Sequence, residues 1–273
     1  MNCDVIGSEL INRIYGITHD PNTDQYAIVT KFYENGNLRQ TLSQNDDSIS
    51  WCKLLEVFSQ ISAALYIIHS QDYTHRDFHS GNILIRTKSS GFFEAVISDF
   101  GLSLHADSES SGSRQVYGVL PFIAPEVLCS GEYSTASDIY GFGMIMYEVL
   151  SGKPPFVERE YDANLVVAVC NSGQRPVIPE DAPSPYVDLM KQCWDSDPTR
   201  RPDAKCLTRH FNAWFQSLMS NEENDTCQAF LKSEKPWKAR LHDNMTPKAT
   251  HSSYTSKNLV DICDLSFNFD NGM

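Results

Sequence analysis

The stretch from His75 to Gly101 constrains this chain more than any other part of it. It reads HRDFHSGN, then the apolar triplet Ile83-Leu84-Ile85, a polar loop, a second apolar run from Ala95 to Ile97, and Asp99-Phe100-Gly101. Two short apolar runs separated by KSSG predict a small β-hairpin. Such a hairpin starts beside Asn82 and ends beside Asp99, with Asp77 on the loop that leads in. A carboxylate, a carboxamide and a second carboxylate are hard oxygen-bearing groups suited to Mg²⁺ and phosphate. Phosphoryl transfer asks little covalent help of a protein; it needs oxygens that hold the ion against the phosphates and a base that orients the attacking hydroxyl.

Composition narrows the setting of that chemistry. The chain has 273 residues, 41% of them hydrophobic, enough for one sizeable core or two small ones. A formal charge of −13 and no basic run argue against a nucleic-acid surface, which needs clustered Lys and Arg. The first residues, MNCDVIGSEL, have neither a basic nor an apolar leader region, and no window reaches about 18 uninterrupted apolar residues. The expectation is a cytoplasmic protein without membrane insertion. Its eight cysteines are scattered with no CxxC pair, which predicts free thiols rather than a zinc site or disulfide framework.

The motifs HRDxxxxN, Asp99-Phe100-Gly101 and Ala124-Pro125-Glu126, in this order, resemble the protein kinase family. The resemblance implies an α+β, kinase-like fold with a complete, mostly helical large lobe and a small β lobe reduced to its last strands. It divides the chain into a small-lobe remnant and hinge at 1–33, a large lobe at 34–219 and an unstructured tail at 220–273. ATP and Mg²⁺ are the implied cofactors, and a protein substrate or partner the implied ligand. Asp77 would be the catalytic base, with Arg76, His79 and Asn82 beside it, and Asn82 and Asp99 would bind the metal. Thr30 would be the gatekeeper; Lys31 and Tyr33 would face the adenine from the hinge, and Leu84 would form its floor. His75, Phe100, Gly101 and Asp138 are implied structural residues, as is an ion pair between Glu126 and Arg201.

Along the chain, residues 10–32 read as two β-segments around the turn HDPNTD. From Trp51, Leu54, Leu55, Phe58, Ile61, Leu65 and Ile68 recur at helical spacing, with Ser50 as the cap. The run after Gly101, rich in Ser and Gly, reads as a loop and resembles an activation segment. Its Ser108, Ser110, Ser111, Ser113 and Tyr117 are candidate phosphorylation sites that Arg76 would pair with. A buried helix is predicted over Thr135–Leu150, with Thr135 and Asp138 in capping-box spacing and Gly152 as its stop. Further helices are predicted at 162–172 and 183–195, and a last one at 207–219. Beyond residue 220 the polar composition predicts no structure.

Three features of the family are missing from this sequence. No GxGxxG precedes Thr30, the only lysine before residue 50 is Lys31, and no helix is predicted there to carry the glutamate that pairs with a strand lysine. The resemblance therefore covers residues 10–218, and the chain is expected to bind ATP weakly. Where serine/threonine kinases have Lys and Thr near the transferred phosphate, this chain has His79 and Val119. An aromatic residue, Phe122, is kept in the frame GVLPF, which leans toward Ser/Thr hydroxyl substrates over Tyr. The alternatives are a pseudokinase or scaffold that binds a partner without catalysis, and a shortened form of an active kinase.

Overall fold

The computed structural model describes residues 8–44, 47–105, 116–243 and 256–259. Strands β1 (Ile14–Asp20) and β2 (Gln25–Thr30) form an antiparallel hairpin. Its turn is held by Asp20, whose carboxylate accepts from the Asn22 amide and the Thr23 hydroxyl. Among the described residues this sheet has two strands only, with the order β1-β2. Helix α1 (Leu38–Ser43) follows, opened by a reciprocal capping box between Asn37 and Gln40.

Helix α2 (Trp51–His69) is the first core helix, and the Ser50 hydroxyl caps it by accepting from Lys53 N–H. By length and composition it could cross a bilayer, but its surface is mostly buried inside the protein, as befits a core helix. The chain then passes through β3 (Tyr73–Thr74) and the loop carrying Asp77 into β4 (Ile83–Thr87) and β5 (Phe93–Ile97). These pair antiparallel in the register Ile83↔Ile97 to Thr87↔Phe93. Gln60 of α2 ties the hairpin down: its amide donates to Phe93 O and its oxygen accepts from Ala95 N–H. Strand β6 (Leu104–His105) pairs with β3, and β7 (Tyr117–Gly118) leads into α3 (Pro125–Ser130).

Helix α4 (Thr135–Ser151) is the central post, buried from Ser137 onward. It is capped by Ser134 in a box with Ser137, one position before the predicted Thr135, because Ser134 holds the extended backbone an N-cap needs. Gly152 ends the helix at φ 68°, a left-handed conformation that glycine adopts without a Cβ clash. Two glycines of α4 permit close packing. A Cβ at Gly141 would lie 2.6 Å from the Phe78 carbonyl, and one at Gly143 would lie 2.9 Å from Cys193 Cβ. Helices α5 (Ala163–Cys170), α6 (Ser184–Cys193) and α7 (Ala204–Met219) complete the helical body near their predicted places. The aromatic rings of Phe58, Phe142 and Phe211 join α2, α4 and α7 into one core.

The expectation of an unstructured end from residue 220 is corrected over 225–243, where the chain forms helix α8 (Asp225–Asp243). Its buried residues Cys227, Phe230, Ser233, Trp237 and Leu241 fall on one helical stripe. Trp237 is fully buried against Trp51, with ring centroids 4.8 Å apart, and its indole N–H donates to Val149 O at 2.9 Å. Glu234 accepts from Trp51 N–H at 3.0 Å, so α8 satisfies one of the open amides at the start of α2. Arg240 pairs with Asp181 at 2.6 Å. A short strand, β8 (Lys257–Asn258), lies beside β7. The predicted serine candidates of the activation segment, Ser108, Ser110, Ser111 and Ser113, lie outside the described residues.

Candidate active site

Asp138, at the start of α4, positions the loop that carries Asp77. One carboxylate oxygen accepts from His75 N–H at 2.9 Å and lies 2.8 Å from His69 Nε2, and the other accepts from Arg76 N–H at 3.0 Å. These bonds hold Arg76 at φ 69°, a left-handed conformation that a non-glycine residue adopts only when its surroundings enforce it. His75 is fully buried. It accepts from Asp77 N–H through Nδ1, which leaves Nε2 as the N–H that donates to Ser98 O at 3.0 Å. Burial pushes its pKa down, against the opposing charges of Asp138 and Asp77, and so favours the neutral ring. Its ring also lies 5.1 Å from Phe100, which joins the HRD loop to the residues after β5.

Asp77 itself is 6% exposed. Asn82 Nδ2 donates to its carbonyl at 2.9 Å and to its Oδ2 at 3.3 Å. The other oxygen, Oδ1, is buried with no hydrogen-bond partner among the described residues and sits 3.5 Å from His79 Nε2. Burial pushes the Asp77 pKa up, but His79 and the Ser256 hydroxyl more than offset it, and the carboxyl stays below its ordinary value. It is therefore ionised at neutral pH, a proton acceptor.

His79, two residues after Asp77, turns its ring toward that carboxylate. Its Nδ1 accepts from Gly81 N–H at 3.0 Å, so Nε2 carries the proton and faces Asp77. The ring is buried and oriented toward the carboxylate, and a Cβ at Gly81 would strike it at 2.7 Å.

Asn82 and Asp99 lie at the same end of the β4–β5 hairpin. Asn82 immediately precedes the Ile83↔Ile97 pair, and its carbonyl accepts from both Ser98 N–H and the Ser98 hydroxyl, which places Asp99 one residue away. Asp99 is exposed, at φ 59°, and its Oδ1 accepts from Gly101 N–H at 3.3 Å. A carboxylate with open coordination next to a carboxamide fits Mg²⁺, which takes oxygen ligands from one or two side chains and fills the rest from phosphates and water. Among the described residues no group of three or more His, Cys, Asp or Glu could hold a metal unaided.

The hinge residues are less gathered. Lys31 Nζ binds Glu94 at 2.8 Å, which raises the Lys31 pKa, and its backbone N–H donates to Arg13 O. Lys31 and buried Tyr33 line a cleft of about 1020 Å³ together with Arg13, Gln60, Arg86 and Glu94. Thr30, exposed at the end of β2, and half-buried Leu84 do not line it, nor do Asp77, Asn82 or Asp99. Leu84 bridges Asn37 across the start of α1.

Two anchors hold this site to the helical body. Arg201 grips Glu126 through two bonds, at 2.6 and 2.7 Å, with its side chain fully buried. Sequence reasoning missed the second: buried Glu148, at the far end of α4, accepts from Ser80 at 2.5 Å and pairs with Arg39 at 2.7 Å. A lone glutamate in an apolar helix was the available signal, since such a group needs partners. Sequence reasoning also missed Ser256, whose hydroxyl donates to Asp77 Oδ2 at 2.6 Å. A serine in a polar segment carries no pattern that foretells such a contact.

A family model for the protein tyrosine and serine/threonine kinase domain matches residues 4–211. The chain belongs to the protein kinase family. Human receptor-interacting serine/threonine-protein kinase 3 is 33% identical over 223 residues, 75% of this chain and 42% of that protein. Human ephrin type-A receptor 1 is 33% identical over 197 residues, 71% of this chain and 19% of the receptor. A protein kinase and PP2C-like domain-containing protein of Arabidopsis thaliana is 29% identical over 241 residues, 77% of this chain and 36% of the relative. This kinase chain thus spans less than half the length of each. Its eight helices among the described residues, with a few short strands in small sheets, agree with the family's α+β fold.

Proposed function

We propose that this kinase-family chain carries a site for phosphoryl transfer from ATP to Ser or Thr hydroxyls of proteins, working weakly as the chain stands. The observation that carries the reading is Asp77: ionised, buried, fixed by a loop that Asp138 holds, with Oδ2 in reach of a hydroxyl, that of Ser256, at 2.6 Å. A base held within hydrogen-bond reach of an acceptor hydroxyl removes its proton as the bond to phosphorus forms. Asn82 keeps Asp77 oriented through Nδ2, and His79 donates toward the same carboxylate. Asn82 and Asp99 are the residues that would hold Mg²⁺, which would neutralise charge on the phosphates.

Weak nucleotide binding follows from the small lobe. Each charge-assisted hydrogen bond contributes about 1.5 to 3 kcal/mol, and about 1.4 kcal/mol is tenfold in affinity. With Lys31 committed to Glu94, no described residue before β3 offers an amine to the α- and β-phosphates from the family's strand position. That observation favours the second reading, a pseudokinase or scaffold. The free cysteines among the described residues agree with a reducing, cytoplasmic setting.

The deciding experiment is a Mg-ATP titration of the 273-residue chain beside Asp99→Asn and Asp77→Asn. Asp99-dependent binding with Asp77-dependent phosphate transfer supports the enzyme; binding without transfer, or no binding, supports the scaffold.

A further inference from the structure

Residues 256–259, beyond α8, lie against the catalytic loop. Strand β8 pairs antiparallel with β7 in the register Tyr117↔Asn258 and Gly118↔Lys257. The next residue continues the pairing: Leu259 N–H donates to Val116 O at 2.7 Å, and the Leu259 side chain is 3% exposed. The residue before β8 is Ser256, exposed to solvent, with its hydroxyl 2.6 Å from Asp77 Oδ2. Gly118, paired with Lys257, brings the β7 backbone close to the base. It sits at φ +138°, and a Cβ there would lie 3.1 Å from Ile123 and 3.3 Å from Asp77 Oδ1. Three separate features, strand pairing, a buried leucine and a hydroxyl on the base, thus fix one register for this segment.

We propose that residues 256–259 occupy the groove along β7 beside Asp77, where an acceptor peptide would lie, and that Ser256 is phosphorylated in cis by the site that holds it. The inference rests on the reading of Asp77 as the base. In the transfer, Ser256 Oγ bonds to the γ-phosphorus of ATP, and its proton passes to Asp77. The bond from that phosphorus to the β–γ bridging oxygen breaks, and ADP leaves with the electron pair. Holding the acceptor on the base makes the step unimolecular in protein, which raises the effective acceptor concentration by orders of magnitude and compensates for weak nucleotide binding. Once Asp77 has released that proton to solvent, the phosphate, of about −1.5 to −2 charge, stands against a carboxylate, and like-charge repulsion drives the segment out of the groove. An acceptor peptide from another protein that fits the vacated groove would be an extended strand with its hydroxyl residue three positions before an apolar one, as Ser256 stands to Leu259.

The test incubates the full chain with Mg-ATP and a separate peptide copying residues 250–263, and maps phosphate by mass spectrometry. Wild type is expected to carry phosphate on Ser256, with a rate constant unchanged over about a hundredfold dilution, as a unimolecular step requires. Asp77→Asn should abolish it and Leu259→Asp, which releases the strand, should slow it about tenfold or more. Asp77-dependent labelling of the separate peptide with Ser256 of the chain unmodified overturns the inference and leaves the enzyme reading standing. No phosphate on either removes the enzyme reading and, with it, Ser256 as an acceptor. Amide exchange at Leu259 then judges the docking alone. Protection about tenfold above that in Leu259→Asp keeps the segment as an occupant, and equal exchange overturns that too.

Discussion

Two β-hairpins of similar length in this chain meet opposite fates. In β4–β5, Ile83, Ile85, Phe93, Ala95, Val96 and Ile97 are all buried, because α2 packs on the sheet and Gln60 bonds its backbone. In β1–β2, Ile17, Tyr26 and Ile28 stand out in solvent at 73%, 78% and 64% exposure. Both hairpins carry the β-branched and aromatic residues that favour strands. Strand propensity therefore settled where each hairpin forms, and the neighbouring helix settled which one joins the core. The exposed hairpin gains little from its apolar side chains, whereas the buried hairpin is the rigid mount on which Asn82 and Asp99 sit.

The comparison can be broken most directly at its buried side. Trp237→Ala should cost about 3 to 5 kcal/mol in denaturant unfolding, since α8 belongs with the buried half despite its polar composition. A loss under about 0.5 kcal/mol, the range of ordinary surface changes, would return α8 to the exposed class. Next comes the direct contrast: Ile85→Ala should cost about 2 to 5 kcal/mol, while Ile28→Ala stays within about 0.5. Equal losses would mean that β1–β2 is covered in solution. Gly141→Ala should lower the melting temperature by several degrees, as its methyl would meet the Phe78 carbonyl at 2.6 Å.

The smallest effect is a pH dependence. Below about pH 6.5 the unfolded His75 takes up a proton that the buried ring, with its lowered pKa, does not. Stability therefore falls as pH drops through that range, by no more than about 1.4 kcal/mol per unit for one such group. In His75→Gln that slope should be shallower, and an unchanged slope would assign it to other groups.

Local patterns were legible wherever one residue type carried a strong signal. Ser50, Gly152 and the apolar ladder of α2 all sit where spacing and cap chemistry put them. The helix cap moved from Thr135 to Ser134 because two adjacent hydroxyl residues offer the same chemistry, and only the backbone distinguishes them. Helix α8 was hidden by averaging: the charged residues around Pro236 mask the stripe of Cys227, Phe230, Trp237 and Leu241. The direction of the His79 ring, toward Asp77, is not given by its place in the motif. The pairing of Ser256 with Asp77 spans 179 positions, and no local pattern encodes a contact of that range.

The bond from Trp51 N–H to Glu234 has a consequence for synthesis. A ribosome releases α2 long before it reaches residue 234, so the opening turn of the core helix waits, one amide short, until Glu234 has emerged. The start of α2 is therefore completed only when α8 docks, and a ribosome stalled before α8 would leave Trp51 without Phe230 and Trp237, a partly uncovered aromatic for chaperones to hold.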